Sequence, residues 1–485
     1  MNGNEVGSET AGADASLLQL GVSAAADAIR KGEMSGERYA SVLLRQAEAQ
    51  KELNAFVTID EVGVLEAARE ADKQRAAGVS APLLGVPIAV KDSYLTKGLR
   101  TTFGLDDFEY VPSKDAATVA EIKRAGGLVF GKNNLVSMSY GLTGKDSRGG
   151  QVRNPQNPAR VSGGSSSGAG ASVGARIVPA ALGGDTVGSI RVPASLSGVV
   201  GYKPTTGRWS GEGVAPISHT LDTTGVLARN VEDCILLDRV VRRAPGERGA
   251  GLATLSGLRF AQAPRQFLDV VDPEVQRRFG SMVERLRSAG ATIVEVDLGD
   301  DFVQITRSAT WGIFAHETMD AVKRFLLEQD VPLTFDKVVQ HLSPFLKGTW
   351  EHLVMPTGAG YVSPDQYKTA LTVHRSEIQR RFNDAFRSVG AEAFLLPTTP
   401  CTAPLIDQQL KFEIAGVEVE YLALANNTVA ASLAGLPGIS LPAGISSDGM
   451  PVGLELDGRY GDDARLLEIA RLVEELATDP SLTVA

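Results

Sequence analysis

Three stretches of the chain carry residue types and spacing suited to catalysis. Residues 85–92 read GVPIAVKD, where Val86, Ile88 and Val90 form a short apolar strand that delivers Lys91 at its end. A lysine is a base only when neutral, so it needs burial or cationic neighbours to lower its pKa. A strand end inside a sheet supplies burial, although the lysine by itself reads more simply as a solvated strand end. Residues 163–168, GGSSSG, run into a helix starting near Ala169. Glycine permits close backbone approach, and a helix start offers free N–H groups to an anion, so the loop fits a phosphate cradle or a tight turn. Residues 183–193, GGDTVGSIRVP, place Ser189 at the end of a glycine-rich turn. Successive backbone N–H groups beside an exposed serine are what acyl transfer needs to hold a developing oxyanion. Asp185 and Arg191 bracket that turn with opposite charges and are expected to pair as a structural brace.

Two other matches are weaker. Gly164 to Gly168 fit G-x-S-x-G around Ser166, the elbow of a Ser-His-Asp hydrolase, which needs a preceding strand and a histidine. Pro155 and Pro158 argue against that strand, and His219, His316, His341, His352 and His374 sit in no recognisable motif. Residues 126–133, GGLVFGKN, approach a P-loop, but Asn133 fills the Ser/Thr place and Leu128-Val129-Phe130 reads as a strand.

The elements that must position these residues alternate between strands and helices. Helices are expected over residues 16–31 (capped by Ser16, closed by Gly32), 35–51, 62–77, 118–125, 169–176, 273–288 and 462–477. Strands are expected at 86–90, 127–130, 177–182, 258–261, 292–296, 393–396, 438–441 and 452–455, with loops at 141–170 and 183–188. The pattern predicts an α/β fold, one mixed central sheet with helices on both faces, built from both ends of the chain. Residues 301–390 read as mostly helical, either a cap over a pocket or an ordinary helical layer. Residues 1–15 are expected to be a disordered lead-in, with one domain over 16–485 and a surface loop near Ala244-Pro245-Gly246.

The 485 residues carry a net charge of -10, which argues against a nucleic-acid or anionic-membrane partner. The two cysteines, Cys234 and Cys401, are far apart, so neither a disulfide framework nor a zinc site is expected. The polar, acidic N-terminus and the lack of a long apolar run fit a soluble, cytoplasmic protein.

Taken together, GVPIAVKD (85–92), GGSSSGAGAS (163–172) and GGDTVGSIRVPASLSGVVGYKPTTGR (183–208) resemble the amidase signature family. Similarity continues through 213–233, 395–400, 433–444 and 451–458, and is least in 300–390. The resemblance implies a catalytic set of Ser189 as nucleophile, Ser165 in a cis peptide as proton relay, and Lys91 as base. It also implies an oxyanion hole from the N–H groups of Thr186, Val187, Gly188 and Ser189, with Ser166 in support and Ser139 near the acyl pocket. No metal or cofactor is implied. The chain departs from the family at Gly184, where Thr or Ser is usual, and at Val187, where Gly is usual. It also has Ser137 in a loop that often carries an acid. The tRNA-linked branch usually has Gln where Val192 stands, and blocks 213–233 and 451–458 are most similar to the indoleacetamide and mandelamide hydrolase branch. The implied substrate is a small aromatic or arylalkyl amide. Anilides, aryl carbamates, a non-catalytic homologue and a tRNA-linked amidotransferase component remain alternatives, and many relatives are homodimers.

Overall fold

Pro87–Lys91 is buried on every residue, as expected of a strand flanked on both sides and covered on both faces. The computed structural model describes residues 14–244 and 251–478. Most of the expected lead-in, and Pro245 and Gly246 of the expected surface loop, lie outside them. In chain order the strands are β1 (Phe56–Thr58), β2 (Pro87–Lys91), β3 (Leu128–Asn133), β4 (Ala180–Asp185), β5 (Val200–Lys203) and β6 (Thr223–Ala228). There follow β7 (Arg259–Gln262), β8 (Thr292–Glu295), β9 (Ala393–Pro397), β10 (Lys411–Ile414), β11 (Val417–Glu420), β12 (Gly438–Ile445) and β13 (Pro451–Gly458).

Eleven of these make one sheet, in the order β1-β3-β2-β4-β6-β5-β12-β13-β9-β7-β8, while β10 and β11 form a separate hairpin. β2 runs parallel to β3 and β4, and β7 parallel to β8 and β9; the pairs between β4 and β9 are antiparallel. The sheet is therefore mixed and flanked by helices, with β12 from the C-terminal end paired to β5 from the first half of the chain. Local signals place many elements closely. Ser35 caps the helix Gly36–Ala49 through its side chain, and Pro273–Ser288 starts behind Asp272, whose carboxylate accepts from Glu274 N–H.

Three expectations change. Gly21, not Ser16, precedes the helix Val22–Lys31, because the glycine interrupts the earlier turn; Gly32 closes it at φ 75 as expected. The strand expected at 177–182 instead spans Ala180–Asp185, and the helix before it is Ser167–Gly174. Pro179 has no N–H to give a ladder, so pairing starts after it. Gly183 and Gly184 consequently belong to β4 rather than to a loop, paired with Gly225 and Thr224 of β6. The turn proper is residues 186–190. Strands β5 and β6 were not foreseen, being short and buried throughout, without the alternation that marks a half-exposed strand.

Residues 302–389 are mostly helical, in Phe302–Glu328, Phe335–His341, Pro344–Leu353, Pro364–Thr369 and, after one wider turn, Arg375–Val389.

Candidate active site

Lys91 ends β2 with only 1% of its surface exposed, and its Nζ donates to Ser165 Oγ at 2.8 Å. Burial lowers its ammonium to about 7, opposed by the nearby negative charge of Asp222 and Asp185. The Gly164–Ser165 peptide is cis. A side chain at Gly164 would press against the Gly141 carbonyl at 2.8 Å, so only glycine fits there. Ser166 N–H donates to the Ser189 carbonyl at 3.2 Å, which sets the two glycine loops side by side. Ser166 Oγ is held by the Gly184 backbone, donating to its carbonyl at 3.1 Å and accepting from its N–H at 3.2 Å. Ser166 is thus a structural link, and its hydroxyl bonds none of the five histidines. His219 instead pairs with Glu317 at 3.0 Å, and His316 Nδ1 lies 2.8 Å from the Val362 carbonyl.

The turn carrying Ser189 is braced from beneath. Arg191 grips Asp185 with Nε and Nη2, both at 3.0 Å, and also reaches Glu455 at 2.5 Å and Ser432 at 2.7 Å. Burial pushes the Asp185 carboxyl up, but the Arg191 guanidinium overrides it and holds the group below its ordinary range. Asp185 also accepts from Ile190 N–H at 3.1 Å, closing the turn. Thr186 Oγ1 donates to Asp222 at 2.7 Å, while Asp222 accepts Ile217 and Ser218 N–H; burial raises its carboxyl to about 6. Gly188 takes φ 142, where an added Cβ would lie 2.3 Å from Thr428 Oγ1. Glycine carries the unusual dihedral, so the β-branched Val187 beside it is accommodated; Thr428 donates to its carbonyl at 2.5 Å. Among the described residues, the N–H groups of Thr186, Val187, Gly188 and Ser189 have no acceptor.

Two cavities open onto these residues. One, of about 300 Å³, is lined by Ser189, Val187 and Ser139 together with Trp311, Phe314 and Tyr140. The other, of about 470 Å³, is lined by Lys91, Ser165, Gly184, Asp185, Thr186 and Asp222, and again by Ser139. Ser139 therefore stands between the two. The long helix Phe302–Glu328 contributes to both, with Trp311 and Phe314 in the smaller and Ala321 and Phe325 in the larger. The helical segment is a wall of the pockets as well as a helical layer.

Sequence reasoning passed over Asp222, Thr428, Ser432, Glu455 and Glu317. Asp222 lies in the family-like block 213–233, a signal that could have found it. Glu317 accepts from Thr220 N–H at 3.0 Å and Tyr367 at 2.7 Å, tying the helical segment to the loop before β6. Lys132, the lysine of the P-loop near-match, is buried in β3 and pairs with Asp92 at 3.2 Å, unlike a phosphate-binding lysine. Among the described residues there is no cluster of metal-ligating side chains, and no helix is long and apolar enough to cross a membrane.

Comparison with known proteins shows the family. The chain is 33% identical to mandelamide hydrolase of Pseudomonas putida, over 95% of this chain and 92% of that protein. It is 30% identical to indoleacetamide hydrolase of Allorhizobium ampelinum, over 93% and 96%. A crystal structure of an amidase superimposes with a TM-score of 0.83 at 29% identity, covering 94% of this chain and 99% of that one. With the amidase family profile matching residues 39–467, the chain belongs to the amidase family and is an enzyme of the amide carbon–nitrogen bond.

Proposed function

We propose that the protein hydrolyses a small aromatic or arylalkyl amide through a Ser189-Ser165-Lys91 relay and an acyl-enzyme. Neutral Lys91 takes the Ser165 proton, Ser165 takes the Ser189 proton, and Ser189 Oγ bonds the substrate carbonyl carbon. The N–H groups of residues 186–189 receive the oxyanion. The carbon–nitrogen bond then breaks with its electron pair on nitrogen. Ser165 protonates that nitrogen and is itself reprotonated by Lys91. Water repeats the sequence on the acyl-enzyme, releasing the acid and restoring Ser189.

The observation that carries this reading is the 2.8 Å bond between Lys91 Nζ and Ser165 Oγ, with burial lowering the lysine to about 7. Such a lysine is a competent base near neutral pH without any histidine. The aromatic lining beside Ser189 supports an aryl acyl group, and a cavity of about 300 Å³ suits one small ring system. Among the described residues, no charged side chain lines it. A tRNA-linked amidotransferase drawing on glutamine would want partners for an ammonium and a carboxylate, so that reading is less well supported. Anilides and aryl carbamates would follow the same relay. A small-molecule substrate needs no nucleic-acid or membrane partner, and no step calls for a cofactor; a cytoplasmic setting fits two buried thiols.

The test is intact-protein mass after a fluorophosphonate probe, on the parent enzyme, Ser189→Ala and Lys91→Ala. Labelling should vanish in Ser189→Ala and slow strongly in Lys91→Ala. Labelling that persists in Ser189→Ala would sink the assignment.

A further inference from the structure

The two cavities are unequal, and the reacting groups divide between them. Ser189 faces the smaller one, while Lys91 and Ser165 face the larger. We propose, on the footing of the serine–lysine relay above, that the substrate is an N-substituted carboxamide whose leaving organic amine occupies the larger cavity.

When the carbon–nitrogen bond breaks, nitrogen keeps the electron pair and takes its proton from Ser165. The nitrogen therefore lies on the Ser165 side, and whatever it bears extends into the space lined by Lys91 and Ser165. The acyl substituent points the other way, towards Trp311 and Phe314. A primary amide would release ammonia, a molecule about the size of water, whose share of liquid volume is about 30 Å³. The space available is about 470 Å³, within the range that holds organic ligands.

The floor of that space is open at the reacting centre itself. Gly184 has an ordinary φ, and the nearest atom to an added Cβ would be Lys91 Nζ at 3.8 Å. Sterics do not force a glycine here, so its bare backbone leaves room where the nitrogen substituent begins. Trp209 and Phe325 give the cavity apolar walls, and Glu212, Arg324 and Glu328 stand exposed at its mouth. Arg324 is already paired with Asp320 at 2.6 Å, so the mouth is net acidic. An amine with an apolar body, leaving as an ammonium ion, matches both features.

The experiment compares kcat/KM for phenylacetamide and N-benzylphenylacetamide, which share one acyl group. Gly211→Phe narrows the larger cavity at its rim, where an added Cβ meets nothing within 4 Å among the described residues and φ is ordinary. The N-benzyl amide should be cleaved at least as well as the primary amide by the parent enzyme. The ratio of the two kcat/KM values should fall about tenfold or more in Gly211→Phe. Ser189→Ala should abolish both reactions, which tests the relay separately. Cleavage of the primary amide alone, still dependent on Ser189, would overturn the inference and leave the relay standing. An unchanged ratio in Gly211→Phe would also overturn it, since the cavity would then serve passage of any amide.

Discussion

Lys91 Nζ and Ser165 Oγ are 2.8 Å apart at a place where each residue is 1% exposed. Water scarcely competes for that bond, and the same burial that isolates it disfavours the lysine's charge. As a neutral amine, Lys91 can accept the serine proton across the distance over which the ammonium donates.

Activity should therefore rise with pH as Lys91 loses its proton. The acid limb of kcat/KM is expected near the value of about 7 to which burial lowers the lysine. Lys91→Arg should show no such limb and only residual turnover, since a guanidinium stays protonated. A pH–rate profile on any turned-over amide checks both.

The same group destabilises the fold. The folded-state pKa of Lys91 is about 7 against an ordinary 10.5, so between these values the unfolded chain binds more protons and stability climbs with pH. Below pH 7 both states are protonated and the full penalty applies. Lys91→Met should accordingly be inactive yet more stable, by a few kcal/mol at pH 6, with the gain fading towards pH 10. Urea denaturation at the two pH values measures this, and a less stable Lys91→Met at pH 6 would refute it.

Asp222 raises the Lys91 pKa through its negative charge. Asp222→Asn keeps an acceptor for Thr186 or for the Ile217 and Ser218 N–H groups but removes that charge. The acid limb should move to lower pH, with a partial loss of kcat from loosening of the turn. A limb that stays in place would show that the lysine does not feel Asp222.

Arg191 is buried among Asp185, Glu455 and Ser432. Arg191→Met leaves three carboxyl groups, those of Asp185, Glu455 and Asp457, buried without their partner, an uncompensated burial that costs on the order of 3–5 kcal/mol. Arg191→Lys should recover only part of this, because an ammonium cannot reproduce the forked grip on Asp185. Midpoints of chemical denaturation for the two variants give the comparison.

Much of the site was legible because its parts are local. An apolar run ending in Lys91, two glycine loops and a serine beyond the second are patterns a few residues long, and each needs its neighbours for the same reason in any chain. The braces were not legible, because they join distant residues. Arg191 and Glu455 are 264 positions apart and Arg191 and Ser432 are 241 apart, and no local pattern marks either partner. Gly183 and Gly184 misled in the opposite direction. Glycine signals a turn, yet here it extends a strand, since a side chain on Gly183 would lie 2.9 Å from Leu227 Cδ1. The choice between a pocket cap and a plain helical layer stayed open because helix periodicity says which face is apolar, and leaves open whether another helix or a substrate covers it.

Arg191 receives its anchors from residues 432 and 455, which has a consequence for how the enzyme is made. A ribosome must translate past residue 455 before the turn around Ser189 acquires its full support. Long-range pairings of this kind form late, after the intervening chain has been ordered. Polypeptides that end before residue 432 already contain Lys91, Ser165 and Ser189 but lack these anchors, so they should show little hydrolytic activity.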